Sequence, residues 1–222
     1  MKFSIVIPAY DQQQYLPDAI ESALNQTVPC EVIVVNDGSP DKTKEIAQKY
    51  PVKLINQVNK GLPSARNAGI MAMTGDIFMP LDADDMLVEN CIEKIQHVFE
   101  ATDADIVAPS IKCFGEANDT IILMENPKIK DFRTANRIGY FSAIKKEALI
   151  ETGGYSPRMV HGWEDYHLWF DMLTRKKKIV TIQEPLVLYR TKQKSMWRDS
   201  LKHVKELHGQ LEKDFPHIWP QK

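Results

Sequence analysis

Apolar residues in the first part of the chain gather into short dense runs, separated by longer stretches in which they recur every three or four positions. Residues 3–8, 31–36, 52–56 and 76–81 are the dense runs, the first two rich in Ile and Val. Apolar side chains at successive positions suit a strand covered on both faces, as in a parallel sheet. Residues 16–25, 41–50 and 64–73 carry helix signals instead: Pro17 near a start, a Gly38-Ser39-Pro40 turn before the second, and Gly75 after the third. Strand and helix alternate through four strands, which predicts an α/β fold on a mostly parallel, Rossmann-like sheet with flanking helices. Beyond it the pattern predicts helices over 88–101, 146–152 and 165–176 and a strand over 106–110. Mixed or antiparallel strands are expected over 120–124 and 139–144, and late strands over 179–183 and 186–189.

Composition changes this picture little but excludes much. A chain of 222 residues that is 43% hydrophobic can bury a large core, and a single domain is expected. The formal charge of -2, from 28 basic and 30 acidic residues, offers no footprint for wrapping nucleic acid. Cys30, Cys91 and Cys113 are odd in number and widely spaced, so neither a disulfide framework nor a zinc site is indicated, and reduced thiols are expected. The run after Met1-Lys2 stops at Pro8, and no apolar stretch nears the ~20 residues that span a bilayer, so a cytoplasmic protein without a transmembrane segment is expected.

Ligands of open α/β sheets bind beyond the carboxyl ends of the strands. Four polar clusters follow the first four strands: Pro8-Ala9-Tyr10-Asp11, Asn36-Asp37-Gly38-Ser39, Asn59-Lys60-Gly61 and Asp82-Ala83-Asp84-Asp85. One such loop is ordinary turn chemistry. Four on one sheet edge favour a site. Three carboxylates within four residues repel one another unless a counter-ion compensates. A helix cap accounts for Asp85 and one neighbour; a divalent cation held by hard oxygen ligands accounts for all three.

The stretches SIVIPAYD, VIVVNDGSPD, NKGLPSARNAGI, MPLDADD and GWEDYHLW, taken in order, resemble family 2 glycosyltransferases of the GT-A fold. These enzymes use nucleotide sugars and invert the anomeric carbon. The resemblance implies a nucleotide-sugar-binding half over 1–110, an acceptor and catalytic half over 111–190, and a C-terminal lid loop and helix over 191–222. It implies that Tyr10 stacks on a pyrimidine and Asp37 accepts its ring N–H, with Pro8, Ala9, Asp11 and Gly61 lining the nucleotide and Arg66 reaching base or phosphate. Asp82 and Asp84 match the Asp-X-Asp signature. Asp84 is the expected first ligand of Mn2+ or Mg2+, and Asp82 serves the metal or the ribose. Asp165 corresponds to the general base, with Glu164 orienting the acceptor or serving as the base itself, and Trp163 stacking on an acceptor sugar. The donor implied is a UDP-sugar; the acceptor is a saccharide, lipid-linked or protein hydroxyl that no residue names.

Departures from the family pattern matter. Where many relatives place a His after the last strands, this chain reads YRTKQKSMWRD, offering Arg190, Lys192 and Lys194 to a phosphate or, as an exposed basic loop, to nothing. Met196 stands where processive synthases of the family carry Arg, which favours transfer of one sugar. Trp197, Leu201, Val204, Leu207, Leu211 and Phe215 recur at helical spacing and predict a helix packed on the domain or a second subunit, or resting peripherally on a membrane. Two other functions compete. A nucleotidyltransferase would want a Gly-rich, basic phosphate loop after the first strand, which is lacking. A silent nucleotide-binding or scaffold protein would have no need of both the metal carboxylates and Glu164-Asp165.

Overall fold

The computed structural model describes residues 1–193 and 195–219. Its first half alternates as expected: β1 (Phe3–Ala9), α1 (Leu16–Leu24), β2 (Glu31–Asp37), α2 (Thr43–Ala47), β3 (Lys53–Gln57), α3 (Leu62–Ala72) and β4 (Ile77–Pro80). Then come β5 (Met86–Leu87), α4 (Cys91–Ala101), β6 (Ile106–Gly115), β7 (Thr120–Ile121), α5 (Ile129–Phe132), β8 (Ala143–Lys145) and α6 (Lys146–Thr152). α7 (Glu164–Thr174), β9 (Ile179–Thr191), α8 (Met196–Ser200), a 3-10 turn (Leu201–His203) and α9 (Val204–Asp214) complete the order.

The strands form one sheet in the order β3-β2-β1-β4-β8-β6-β9-β5, with β7 added beside β6. β1, β2, β3 and β4 run parallel, β8 is antiparallel to β4 and β6, and β9 is parallel to β6. Alternation along β1 and β2 divides the core by sheet face. Phe3, Ile5, Ile7, Val32 and Val34 pack with Leu16 and Ile20 of α1 and Ile92 and Ile95 of α4. Val6, Ile33 and Val35 pack with Ala65 and Ile70 of α3 and Leu168 and Trp169 of α7. Helix α3 lies unusually close to β1, because a Cβ at Gly69 would come within 2.2 Å of Val6 Cγ1. Glycine is therefore required there by space rather than by backbone conformation.

Several local expectations shift. Helix α4 starts at Cys91 rather than at residue 88, since Met86 and Leu87 are taken up by pairing with Leu188 and Val187 of β9. The two late strands are one. Pro109 pairs with Ile182 and Ser110 with Pro185, so Gln183 and Glu184 are absorbed by a break in register that lets Pro185, which has no N–H, remain in the strand. That continuity carries Arg190 and Lys192 to the site. The strand expected over 120–124 shrinks to β7, that over 139–144 to β8, and α5 was not foreseen.

The C-terminal stripe breaks in two. Leu207, Leu211 and Phe215 bury themselves against α7, each burial contributing about 1.5–3 kcal/mol. Trp197 of α8, Leu201 of the 3-10 turn and Val204, the first residue of α9, stay exposed. No helix among the described residues is long and apolar enough to cross a membrane.

Candidate active site

The loops after β1, β2 and β4 and the end of β9 meet at one edge of the sheet. After β1, the Asp11 N–H donates to Ser39 Oγ at 3.3 Å, and that hydroxyl donates to the Ala9 carbonyl at 3.2 Å. Asp11 accepts a positive φ of 55°, and Tyr10 remains 47% exposed, with its ring free of the core.

Asp37 at the end of β2 is buried. Its carboxylate accepts the Lys60 N–H and the Gly61 N–H, each at 2.9 Å, and Gln57 Nε2 at 2.7 Å. It thereby pins the loop that enters α3, using three of about four acceptor directions and leaving one for a ligand. Gly38 makes this closeness feasible: its φ is +69°, and a Cβ would lie 2.7 Å from the Asn59 nitrogen.

Arg66 on α3 is fully buried, which removes the reading of an exposed helical arginine. One guanidinium nitrogen binds Asp82 Oδ1 at 2.7 Å, and another binds Glu164 Oε1. The guanidinium also lies over the rings of Tyr140, at 5.0 Å, and Tyr155, at 5.2 Å. Arg66 Nε is buried without a partner. The two acidic motifs, 82 residues apart by their first carboxylates, share one cation.

The carboxylates of Asp82, Asp84 and Asp85 offer ligand atoms within 4.8 Å of one another. Burial pushes Asp82 up to about 6, with Asp84 adding to the rise and Arg66 opposing it. Burial, then Asp84 and Asp82, hold Asp85 well above the usual range. Asp85 does not cap α4. It accepts the Tyr140 hydroxyl and, at 2.6 Å, the Arg190 N–H, so it fastens β9 to the acidic turn. Arg190 Nε donates to the Asp84 carbonyl at 2.9 Å, and its guanidinium pairs with Asp18 while sandwiched between Tyr15 and Phe114. Lys192 pairs with the Asp84 carboxylate. Lys194 lies outside the described residues. A cleft of about 600 Å³ opens between Asp11, Gln12 and Tyr15 on one wall and Arg190, Lys192 and Glu116 on the other.

Across the site, Trp163 adopts a positive φ of 63° and sets Glu164 and Asp165 in the first turn of α7. Its ring packs edge-to-face on Tyr166 at 5.6 Å. Asp165, half-buried, accepts Asn136 Nδ2 at 2.9 Å and the Tyr166 N–H at 2.7 Å. Burial first, then Glu164, push its carboxyl up to about 7 against the pull of Arg66. Asn136, Tyr140, Tyr15 and Asp18 are thus parts of the site that motif reading missed. Tyr140 looks like any core aromatic in its sequence context, and Asn136 sits in an irregular segment without periodicity.

These features define a class. Residues 4–165 match the glycosyl transferase family 2 profile, and the chain belongs to that family. Its fold is GT-A: residues 1–349 of Staphylococcus aureus TarS superpose with a TM-score of 0.79 at 17% identity, over 97% of this chain and 65% of that one. The same TarS segment in complex with UDP-GlcNAc gives a TM-score of 0.78 over 89% of this chain and 61% of that one, also at 17% identity. Among curated relatives, the minor teichoic acid biosynthesis protein GgaB of Bacillus subtilis is 41% identical over 117 residues, 48% of this chain but 13% of GgaB. Glycosyltransferase GlyG of Streptococcus pneumoniae is 28% identical over 221 residues, 88% of this chain and 72% of GlyG. The chain thus spans a small part of the first of these relatives and most of the second.

Proposed function

We propose that this chain is an inverting glycosyltransferase that moves one sugar from a nucleoside diphosphate sugar, a UDP-sugar, to an acceptor hydroxyl. The observation that carries the reading is the Arg66 bridge, which joins the Asp-X-Asp carboxylate Asp82 to Glu164, the neighbour of Asp165. A donor motif and a base motif held by one buried cation suit a reaction whose leaving group and acceptor must be aligned on opposite sides of one carbon.

The acidic turn fits a divalent cation. Three hard oxygen donors crowd within 4.8 Å of one another, an all-oxygen set that suits Mg2+ or Mn2+. Asp84 and Asp82 would hold it, and when bound it neutralises charge gathering on the departing diphosphate. Arg190 and Lys192 supply further positive charge on the same side. Tyr10 offers an open ring for stacking on the base, and Asp37 and Gly61 shape the nucleotide pocket with Pro8, Ala9 and Asp11. Asp165 takes the acceptor proton, and its raised affinity near neutrality matches that task. Asn136 positions one of its oxygens. Trp163, largely committed to Tyr166, retains an edge for an acceptor ring. The free thiols Cys30, Cys91 and Cys113 are consistent with the cytoplasm.

The test is incubation of the protein with Mn2+ and a panel of sugar nucleotides headed by UDP-GlcNAc, the compound bound in one TarS structure, together with glycopolymer acceptors chosen in light of GgaB. Release of free nucleoside diphosphate with an inverted product supports the proposal. Pyrophosphate release instead would mark a nucleotidyltransferase, and tight nucleotide binding without turnover would mark a silent binding protein.

A further inference from the structure

A second group of metal-ligating side chains lies apart from the acidic turn: His161, His203 and Glu206, whose ligand atoms fall within 4.8 Å of one another. His161 stands in the loop leading to Trp163 and Glu164. His203 closes the 3-10 turn, and Glu206 follows it in the first turn of α9. The two imidazoles stack face to face, with centroids 3.8 Å apart and planes within 3°. Both turn toward one carboxylate: His203 Nδ1 is 3.3 Å from Glu206 Oε2, and His161 Nε2 is 4.0 Å from Glu206 Oε1.

We propose that His161, His203 and Glu206 bind a borderline divalent cation, zinc being the best match, which staples the loop carrying the base motif to the C-terminal segment. Two imidazoles and one carboxylate form a common zinc set, with water as the fourth ligand, whereas the all-oxygen turn at Asp82 to Asp85 suits Mg2+ or Mn2+. Bonds of about 2.0–2.2 Å in a tetrahedron bring ligand atoms to roughly 3.3–3.5 Å from one another, a spacing that His203 and Glu206 already show and that His161 must approach. Binding would therefore tilt the two stacked rings toward each other so that their nitrogens converge on the ion. All three side chains are partly exposed, at 40%, 36% and 66%, so they can rotate without disturbing the core, and the fourth position opens to water.

Loop and segment already meet at this place. A Cβ on Gly162, whose φ is +106°, would lie 3.1 Å from Ser200 Cβ. Asp214 of α9 takes Arg158 at 2.9 Å and His167 at 3.0 Å. A cation on His161 and His203 would reinforce that contact four residues before Asp165. It would hold Trp163 in its left-handed conformation through the loop, as a positioning element rather than part of the reaction.

The experiment uses the full chain carrying Asp84→Ala, which disables the acidic turn, after removal of metals with a chelator. Zinc is titrated by calorimetry, and Co2+ is added separately to read its visible absorption. The expected result is one equivalent of zinc, a cobalt band typical of nitrogen ligation, a rise in Tm with zinc, and no displacement by Mg2+. Adding His161→Ala or His203→Ala should weaken zinc binding by about tenfold or more, while adding His208→Ala, which alters a neighbouring exposed histidine, should not. Absence of zinc binding, or equal binding after either loop or turn histidine is removed from a protein with unchanged circular dichroism, would overturn the proposal.

Discussion

Arg66 and Glu164 form a buried ion pair across 98 residues of sequence, with the arginine fully buried and the glutamate side chain 7% exposed. Because the same guanidinium also holds Asp82, the pair links helix α3 to both acidic motifs. Removing one member of such a network leaves its partners charged and buried, and the cost of that is larger than the net gain from the intact pair.

Arg66→Met should therefore destabilise the protein by about 3–5 kcal/mol in urea unfolding, and Arg66→Lys by less but measurably, since an ammonium cannot reach both carboxylates in a fork. A Met variant as stable as wild type would mean that the bridge does not organise the site.

Asp165→Asn should lower turnover by about 10²–10⁴ while leaving UDP and Mn2+ affinity near wild type, because the loss falls on the transition state. In wild type, kcat/KM should rise with pH through about 7, as the base must be ionised to work. The sign for stability is opposite. A carboxyl raised from 3.8 to about 7 by folding binds its proton more tightly in the native state, so its contribution is present at low pH and lost as pH rises through 7. Unfolding free energy measured between pH 4 and 8 should fall more steeply in wild type than in Asp165→Asn. If the variant keeps its turnover, Glu164→Gln is the next change to measure.

Asp84→Ala should abolish Mn2+-dependent turnover and weaken nucleoside diphosphate binding when metal is present. Lys192 pairs with that carboxylate. Lys192→Ala should consequently bind Mn2+ more tightly without donor, yet turn over more slowly with it, having lost a cation beside the diphosphate. Electron paramagnetic resonance of free Mn2+ reads the first effect; chelator-resistant activity in wild type would end the metal assignment.

Tyr10→Ala should weaken UDP binding by about 1–3 kcal/mol in calorimetry, the worth of a lost base stack, with little change in Tm because the ring is exposed. Asp37→Ala should do both, lowering Tm as well, since three donors of the 57–61 loop lose their acceptor. Unaltered UDP affinity in the Tyr10 variant would place the nucleotide elsewhere.

Much of this was legible along the chain. The dense apolar runs identified β1, β2 and β4 because a strand buried on both faces must be apolar at successive positions, whereas β3, at the sheet edge, is only partly buried; the polar loops after them followed from the topology. Family membership followed from the order of motifs. Roles that depend on distant partners were not legible. Asp85 reads locally as a helix cap, yet it anchors Arg190, 105 residues away. Arg66 reads equally well as a solvent-facing helical residue, and nothing in its neighbours states that α3 turns it inward between Asp82 and Glu164.

The C-terminal stripe separates the two kinds of information. Period alone determined that Trp197 through Phe215 would favour a helix with one apolar side, because side chains three and four apart share a face. Only the folded structure decided where that side goes. The 3-10 turn at Leu201–His203 changes the angular step between successive side chains, so Leu207, Leu211 and Phe215 meet α7 while Trp197 and Leu201 do not. In the same way, sequence determined which carboxylates exist and that they crowd together. The raised proton affinities of Asp82 and Asp85 come first from burial, with neighbouring carboxylates of the same turn adding to them and Arg66 opposing the rise at Asp82; the burial and that counter-charge are set by tertiary contact.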